Sequence, residues 1–143
     1  MTRRVVVDSC VAVKWFIGEP DADLAKRLFD PDVERIAPDL LLAEVANALW
    51  ISERRGLIDA ASVDQAVELL PRYFRTVMPT FGLMTETARL ARSIEHPVYD
   101  CLYVVVAQRL GAALVTTDQK LIAKIAATAD AARVIDLADW TAA

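Results

Sequence analysis

Cysteine and histidine are nearly missing from this 143-residue chain, which has two of the first, Cys10 and Cys101, and one of the second, His96. Two cysteines this far apart give neither a metal-binding spacing nor a disulfide framework, and reduced thiols fit a cytosolic protein. A single histidine excludes ribonuclease chemistry built on a His–His acid and base pair. Beside Pro97 at a helix end, His96 is expected at the surface. Long apolar runs are missing as well. The longest, Cys101 to Ala107, falls far short of the ~20 residues that cross a bilayer. Met1-Thr2-Arg3-Arg4 has the positive start of an export leader, yet the apolar stretch behind it stops at Asp8, so a cytoplasmic protein is expected. Positive charge is not in excess either. A formal net charge of -4 excludes coating nucleic acid by bulk attraction and leaves only a local basic patch or bound cations to hold it.

What is present is apolar material for one core. Hydrophobic residues make up 55% of the chain and charged residues 25%, the balance of one soluble globular domain spanning residues 1–143. Val5-Val6-Val7 has no alternation, so it reads as a strand buried on both faces that runs directly into Asp8. Behind it, apolar spacing predicts helices over Ser9 to Ile17 and from Asp21 to Phe29. A weak strand, Val33 to Ala37, precedes a long helix from Leu40 to Arg55 that Gly56 closes. The next helix starts at Ile58-Asp59 and should break at Pro71. Arg75 to Met78 reads as a strand and Leu83 to Ile94 as a helix, followed by a nearly all-apolar, internal helix over Tyr99 to Leu110. A buried strand, Ala112 to Val115, a helix, Leu121 to Ala127, and a last strand at Val134-Ile135 complete the chain. Strands alternating with helices indicate an α/β protein, a three-layer α/β/α sandwich around a parallel sheet.

Four acids fall in apolar surroundings. Asp8 ends the first strand, where ligands of open α/β sheets collect. Glu44 shares the core-facing stripe of its helix and has no Lys or Arg at i±3 or i±4. Asp100 opens the apolar helix. Asp118 follows the fourth strand at an expected helix N-cap, a role that could by itself explain it. If all four share one rim, each pair about 4 Å apart repels by ~4 kcal/mol at an effective dielectric near 20, so the cluster needs cations. Oxygen donors without a His or Cys set favour Mg²⁺ or Mn²⁺ over zinc. Ser9 and Thr116 would tune the ligands from a second layer.

These residues resemble the PIN-domain ribonucleases, most closely the VapC toxins of toxin–antitoxin pairs. The resemblance runs over the whole chain: a hydrophobic strand ending in Asp8, PDLLLAEVANAL with Glu44, and YDCLYVVVAQRLGAALVTTD with Asp100 and Asp118. It implies a metal-dependent endoribonuclease whose acidic quartet, Asp8, Glu44, Asp100 and Asp118, binds Mg²⁺ or Mn²⁺ and cleaves RNA by metal-activated water. Thr116 matches a hydroxyl residue common two positions before the last acid, whereas Cys10 stands where Ser or Asn is common. The resemblance also implies a VapB-like antitoxin that inserts an Arg or Lys among the carboxylates, and a homodimer. Trp50, Ile51, Leu57 and Ile58 at a helical-hairpin tip, with Trp15 and Phe16, are candidates for its interface. Arg54, Arg55, Arg72, Arg75, Lys120 or Lys124 would hold flanking phosphates. Two other readings stay open. One is a haloacid-dehalogenase-type phosphatase, although Cys10 occupies the place of its second aspartate. The other is a catalytically silent domain whose acids clamp a basic partner.

Overall fold

In the computed structural model, which describes residues 2–142, the outermost positions of the expected domain, Met1 and Ala143, lie outside the described residues. Five strands form one parallel sheet: β1 (Arg3–Val7), β2 (Val33–Pro38), β3 (Thr76–Met78), β4 (Ala113–Thr116) and β5 (Val134–Asp136), in the spatial order β3-β2-β1-β4-β5. This is the expected α/β/α sandwich. The chain builds outward from β1 to one edge, then returns and builds outward to the other. The order therefore reverses between β1 and β4, and in sheets of this kind the crevice beyond the carboxyl ends at that reversal is the place for a ligand.

The register fixes which residues meet there. Val7 pairs with Val115, and the Asp8 N–H donates to the Val115 carbonyl at 3.1 Å. Asp8 and Thr116 consequently leave the sheet side by side. The valines of β1 are buried on both faces, as a central parallel strand requires.

Among the described residues seven α-helices cover the sheet: α1 (Ser9–Ala12), α2 (Ala22–Lys26), α3 (Leu40–Arg54), α4 (Ala60–Leu69), α5 (Met84–Ile94), α6 (Val98–Leu110) and α7 (Gln119–Ala126). In α6 every residue from Cys101 to Ala107 is buried, because the helix packs on β1, β2 and β4 while α5 covers its outer side. That explains an apolar stretch with no polar face.

The first two helices are shorter than their apolar spacing predicts, since each tightens into a 3₁₀ turn, Val13–Trp15 and Arg27–Phe29. The α-helix ahead of Pro71 stops at Leu69, as expected, although the chain continues beyond it as a 3₁₀ turn. Pro71 lies early in this turn, Leu70–Tyr73, a position where a missing N–H is tolerated. Trp15 and Phe16 are not free for a partner surface: both are half-buried, Trp15 stacks among Phe29, Tyr73 and Phe74, and its indole N–H donates to the Ala25 carbonyl at 2.9 Å. Trp50, Ile51 and Leu57 remain exposed at the hairpin tip. Phe81, Met84, Val98 and Tyr99 are exposed as well, which was not foreseen; Met84, Val98 and Tyr99 line one cavity where α5 folds beside α6, and Phe81 lies in the 3₁₀ turn that leads into α5. No helix among the described residues is long and apolar enough to cross a membrane.

Between α5 and α6 the chain turns within three residues, and Glu95 adopts a left-handed conformation, φ 53°. It is the only residue other than glycine with positive φ among those described. An L-residue with a Cβ is strained there by about 1–2 kcal/mol. Glu95→Gly is therefore expected to raise the unfolding free energy by about 1 kcal/mol in urea titration; a fall would mean that contacts of the Glu95 side chain outweigh its backbone strain.

Candidate active site

The geometry begins at the two strand ends. The Thr116 hydroxyl donates to Asp8 Oδ2 at 2.6 Å and accepts from the Asp118 N–H at 3.0 Å, so one buried side chain ties the first acid to the last. Ser9 Oγ lies 3.4 Å from Asp8 Oδ1, a longer and weaker contact. Asp118 caps α7 as its position suggests, Oδ1 accepting from the N–H groups of Lys120 and Leu121. Its other oxygen, Oδ2, remains turned toward the site. The cap and the site are thus roles of two different atoms of one carboxylate.

Glu44 comes from α3 across the rim. It has no cationic partner and instead accepts from the Tyr103 hydroxyl at 2.5 Å. Tyr103 is fully buried on α6 and was missed by the sequence reading. Its signal was available: it is a phenol in an otherwise aliphatic run, three residues beyond Asp100 and so on the same helix face.

His96 requires a correction. Far from lying at the surface, its side chain is only 8% exposed, with Nε2 2.8 Å from Asp100 Oδ2 and 3.8 Å from Asp118 Oδ2. The left-handed turn at Glu95 and the start of α6 at Pro97 direct the ring inward, a consequence of backbone geometry that the dipeptide His96-Pro97 does not reveal. A ring nitrogen thus stands among the carboxylate oxygens of the site.

Burial and mutual repulsion act together on these carboxyls. Burial, then the charge of Asp100, pushes the Asp8 carboxyl above the ordinary aspartate range against its hydrogen bond from Thr116. Burial, with Asp8 and Asp100 adding to it, raises Glu44. Asp100 is raised by burial and by Asp118, opposed by His96. Among the described residues no Lys or Arg lies in ion-pair range of any of the four acids; His96 alone does. The residues fit a divalent cation: partly buried carboxylates with free oxygens, no fixed positive charge, and ligand atoms of His96, Asp100 and Asp118 within 4.8 Å of one another, a group that does not include Asp8 or Glu44.

Cys10 packs beneath the rim, its sulfur 3.6 Å from Thr116 Oγ1 and 3.5 Å from the Thr117 N–H. Burial, then Asp8, pushes its thiol up to about 11, and burial, then Asp100, does the same for Cys101. Both are neutral and inert as nucleophiles at neutral pH. The basic residues divide. Arg72 and Arg75 line a cavity of about 610 Å³ together with Thr2, Val33 and Arg35, at the amino ends of the strands, so they stand a strand length, roughly 15–20 Å, from the acids. Lys120, in the first turn of α7, adjoins the site.

A parallel α/β/α sandwich with partly buried carboxylates gathered at its switch point defines the class, an α/β protein with an acidic site at the carboxyl ends of its strands. Residues 5–128 match the family model described as PIN domain, a span that contains all four acids. The chain is 30% identical over 127 residues to Ribonuclease VapC3 of Pyrobaculum aerophilum, covering 87% of this chain and 96% of that protein. It is 32% identical over 90 residues to Exonuclease VapC9 of the same organism, covering 59% and 62%. The crystal structure of PAE2754 from Pyrobaculum aerophilum superposes with a TM-score of 0.70 over 95% of this chain and 85% of that one at 24% identity, which bears on the fold alone. The chain belongs to the PIN domain family.

The raised carboxyls have a consequence for stability. Each binds its proton more tightly in the fold than in the unfolded chain, so its contribution is full below the unfolded value of 3.8 for Asp and is lost as pH rises through the raised folded value. In chelator at about pH 7, Asp8→Asn is expected to raise the unfolding free energy by roughly 1 kcal/mol or more and to flatten its dependence on acidification. Urea unfolding of both proteins across the acidic range measures this. A variant less stable than wild type at neutral pH would show that the carboxylate's bonds to Thr116 and Ser9 outweigh its burial.

Proposed function

We propose that this chain is a Mg²⁺- or Mn²⁺-dependent endoribonuclease acting as the toxin of a type II toxin–antitoxin pair. The observation that carries the reading is the gathering of Asp8, Glu44, Asp100 and Asp118 at the sheet's switch point with no Lys or Arg to neutralise them. Similarity to Ribonuclease VapC3 over most of both chains supports RNA as substrate and a VapB-like antitoxin as partner.

A bound divalent cation supplies Lewis acidity toward the phosphate and a more acidic water. The protein's part is placement. Thr116 orients Asp8, the α7 cap orients Asp118, and without a cation His96 bonds Asp100, so these three carboxylates are the ones that would hold the cation. Glu44 is oriented by Tyr103 through Oε1, which leaves Oε2 to take the proton of the attacking water. Burial, followed by the charges of Asp8 and Asp100, raises the Glu44 carboxyl, which makes it a better proton acceptor than an ordinary glutamate. Lys120 is placed to hold a flanking phosphate; Arg72 and Arg75 are not.

An Arg or Lys of the antitoxin entering among the carboxylates would displace the cation and block the site. Two copies of the chain meet through Phe81, Met84, Val98 and Tyr99, a patch that borders Asp100 and so sets the width of the substrate's entry.

RNA cleavage, including cleavage of a circular RNA without ends, should appear with Mg²⁺ or Mn²⁺ and vanish in excess EDTA, and Asp8→Asn or Asp100→Asn should lower it by more than about 100-fold. Cleavage that persists in EDTA would overturn the mechanism, and inertness toward circular RNA would make the enzyme an exonuclease. Light scattering is expected to give a dimer mass at micromolar concentration and a monomer mass for Phe81→Asp; a wild-type monomer would remove the interface.

A further inference from the structure

His96 reaches the acidic site by a route that differs from that of the four carboxylates. It belongs to the tight connection between α5 and α6, where Glu95 carries the left-handed backbone and Pro97 fixes the entry to the next helix. Its backbone is held on both sides: the His96 N–H donates to the Ala91 carbonyl at 3.1 Å, and the Cys101 thiol lies 3.6 Å from the His96 carbonyl. The ring is nearly enclosed and its Nε2, rather than a carbon edge, faces Asp100 and Asp118.

A simple buried histidine would pair with one acceptor and end there. This one points a single nitrogen at oxygens of two carboxylates, at 2.8 Å and 3.8 Å. Two donors held about 2.2 Å from one cation are roughly 3 Å apart at right angles and at most about 4.4 Å apart across it. The three ligand atoms, all within 4.8 Å of one another, match that spacing after small side-chain adjustments. An imidazole also differs in kind from carboxylate oxygen, since a nitrogen donor favours first-row transition ions over Mg²⁺, which prefers oxygen and retains its waters.

We propose that His96 Nε2 is a direct ligand of the divalent cation, together with Asp100 and Asp118, and that it biases the site toward Mn²⁺ over Mg²⁺. The inference rests on the metal-dependent reading above and adds to it one nitrogen ligand and an order of metal preference. The neutral ring with its proton on Nδ1 is the binding form, so the hydrogen bond to Asp100 gives way to a bond from Nε2 to the cation.

The test reads the metal rather than the activity. Mn²⁺ is titrated into the full chain, and pulsed electron paramagnetic resonance records coupling between the ion and ¹⁴N, while competition gives the Mg²⁺ affinity. Wild type should show a directly coordinated ¹⁴N, and His96→Gln, which retains a neutral amide able to bond Asp100, should lose it. The variant should bind Mn²⁺ about tenfold or more weakly, with Mg²⁺ affinity changed by less than about twofold. Mn²⁺ bound by wild type without ¹⁴N coupling overturns this proposal alone and leaves the metal-dependent enzyme standing. Equal weakening of both cations in the variant also overturns it and makes His96 a residue that only positions Asp100. A wild-type chain that binds neither ion overturns both readings. Since the coupling is measured on the wild type, failure of the variant to fold does not remove the test.

Discussion

The hydrogen bond from Thr116 to Asp8 joins the two central strands at the point where the order of the sheet reverses. It is short, 2.6 Å, and buried, and its acceptor is charged when Asp8 is ionised, so it belongs to the stronger class of hydrogen bond. The same hydroxyl takes the Asp118 N–H. One threonine thus sets where the first acid points and where the last helix begins. The register of β1 against β4 has to be correct for this to happen; a slip of one residue would turn Thr116 to the other face and leave Asp8 buried without its donor.

Around that bond the fold maintains an unfavourable arrangement of charge. Asp8 is nearly enclosed, and Asp100 and Glu44 share its field, so each carboxyl is pushed toward its protonated form. The compensation is structural and lies elsewhere. Both faces of the sheet are covered, α6 is buried along seven consecutive residues, and the aromatic group of Trp15, Phe29, Tyr73 and Phe74 closes the layer on the side of α1 and α2. Apolar burial on this scale, about 25 cal/mol for each Å² removed from water, can hold four like charges near one another. The local strain at Glu95 is of the same kind, a small conformational loss kept at a functional edge by the surrounding packing.

Three sequence signals made most of the candidate site's placement legible. Unalternated valines before Asp8 marked a central strand and its exit; an acid on the apolar stripe of α3 marked Glu44 as unpaired by its own helix; and Thr116 and Asp118 followed a buried strand at a helix start. Each depends on residues close in sequence, and local periodicity carries that information. His96 and Tyr103 escaped because their roles depend on directions set elsewhere. The ring of His96 enters the site only through the positive φ of its neighbour, and the hydroxyl of Tyr103 matters only because α3 brings Glu44 against α6. The strand order, and with it the remote location of Arg72 and Arg75, was likewise unreadable, since a parallel sheet admits several orders for the same alternation of elements.

The charge distribution that follows from this order constrains how a polyanion can approach. The carboxyl rim holds the acids, with Lys120 as the nearest lysine of the first turn of α7, whereas Arg35, Arg72 and Arg75 gather at the amino rim. An RNA drawn to the arginines would be held a strand length from the carboxylates. Without a cation the acidic rim repels the backbone, and one lysine in water does little to offset this. On the function proposed above, binding at the rim would be conditional on a divalent cation, and the ion that makes the phosphate reactive would also admit it. The apolar patch of Phe81, Met84, Val98 and Tyr99 sits beside this rim and not beside the arginines, so an occupant of that patch narrows the entry to the acids while leaving the basic end of the sheet untouched.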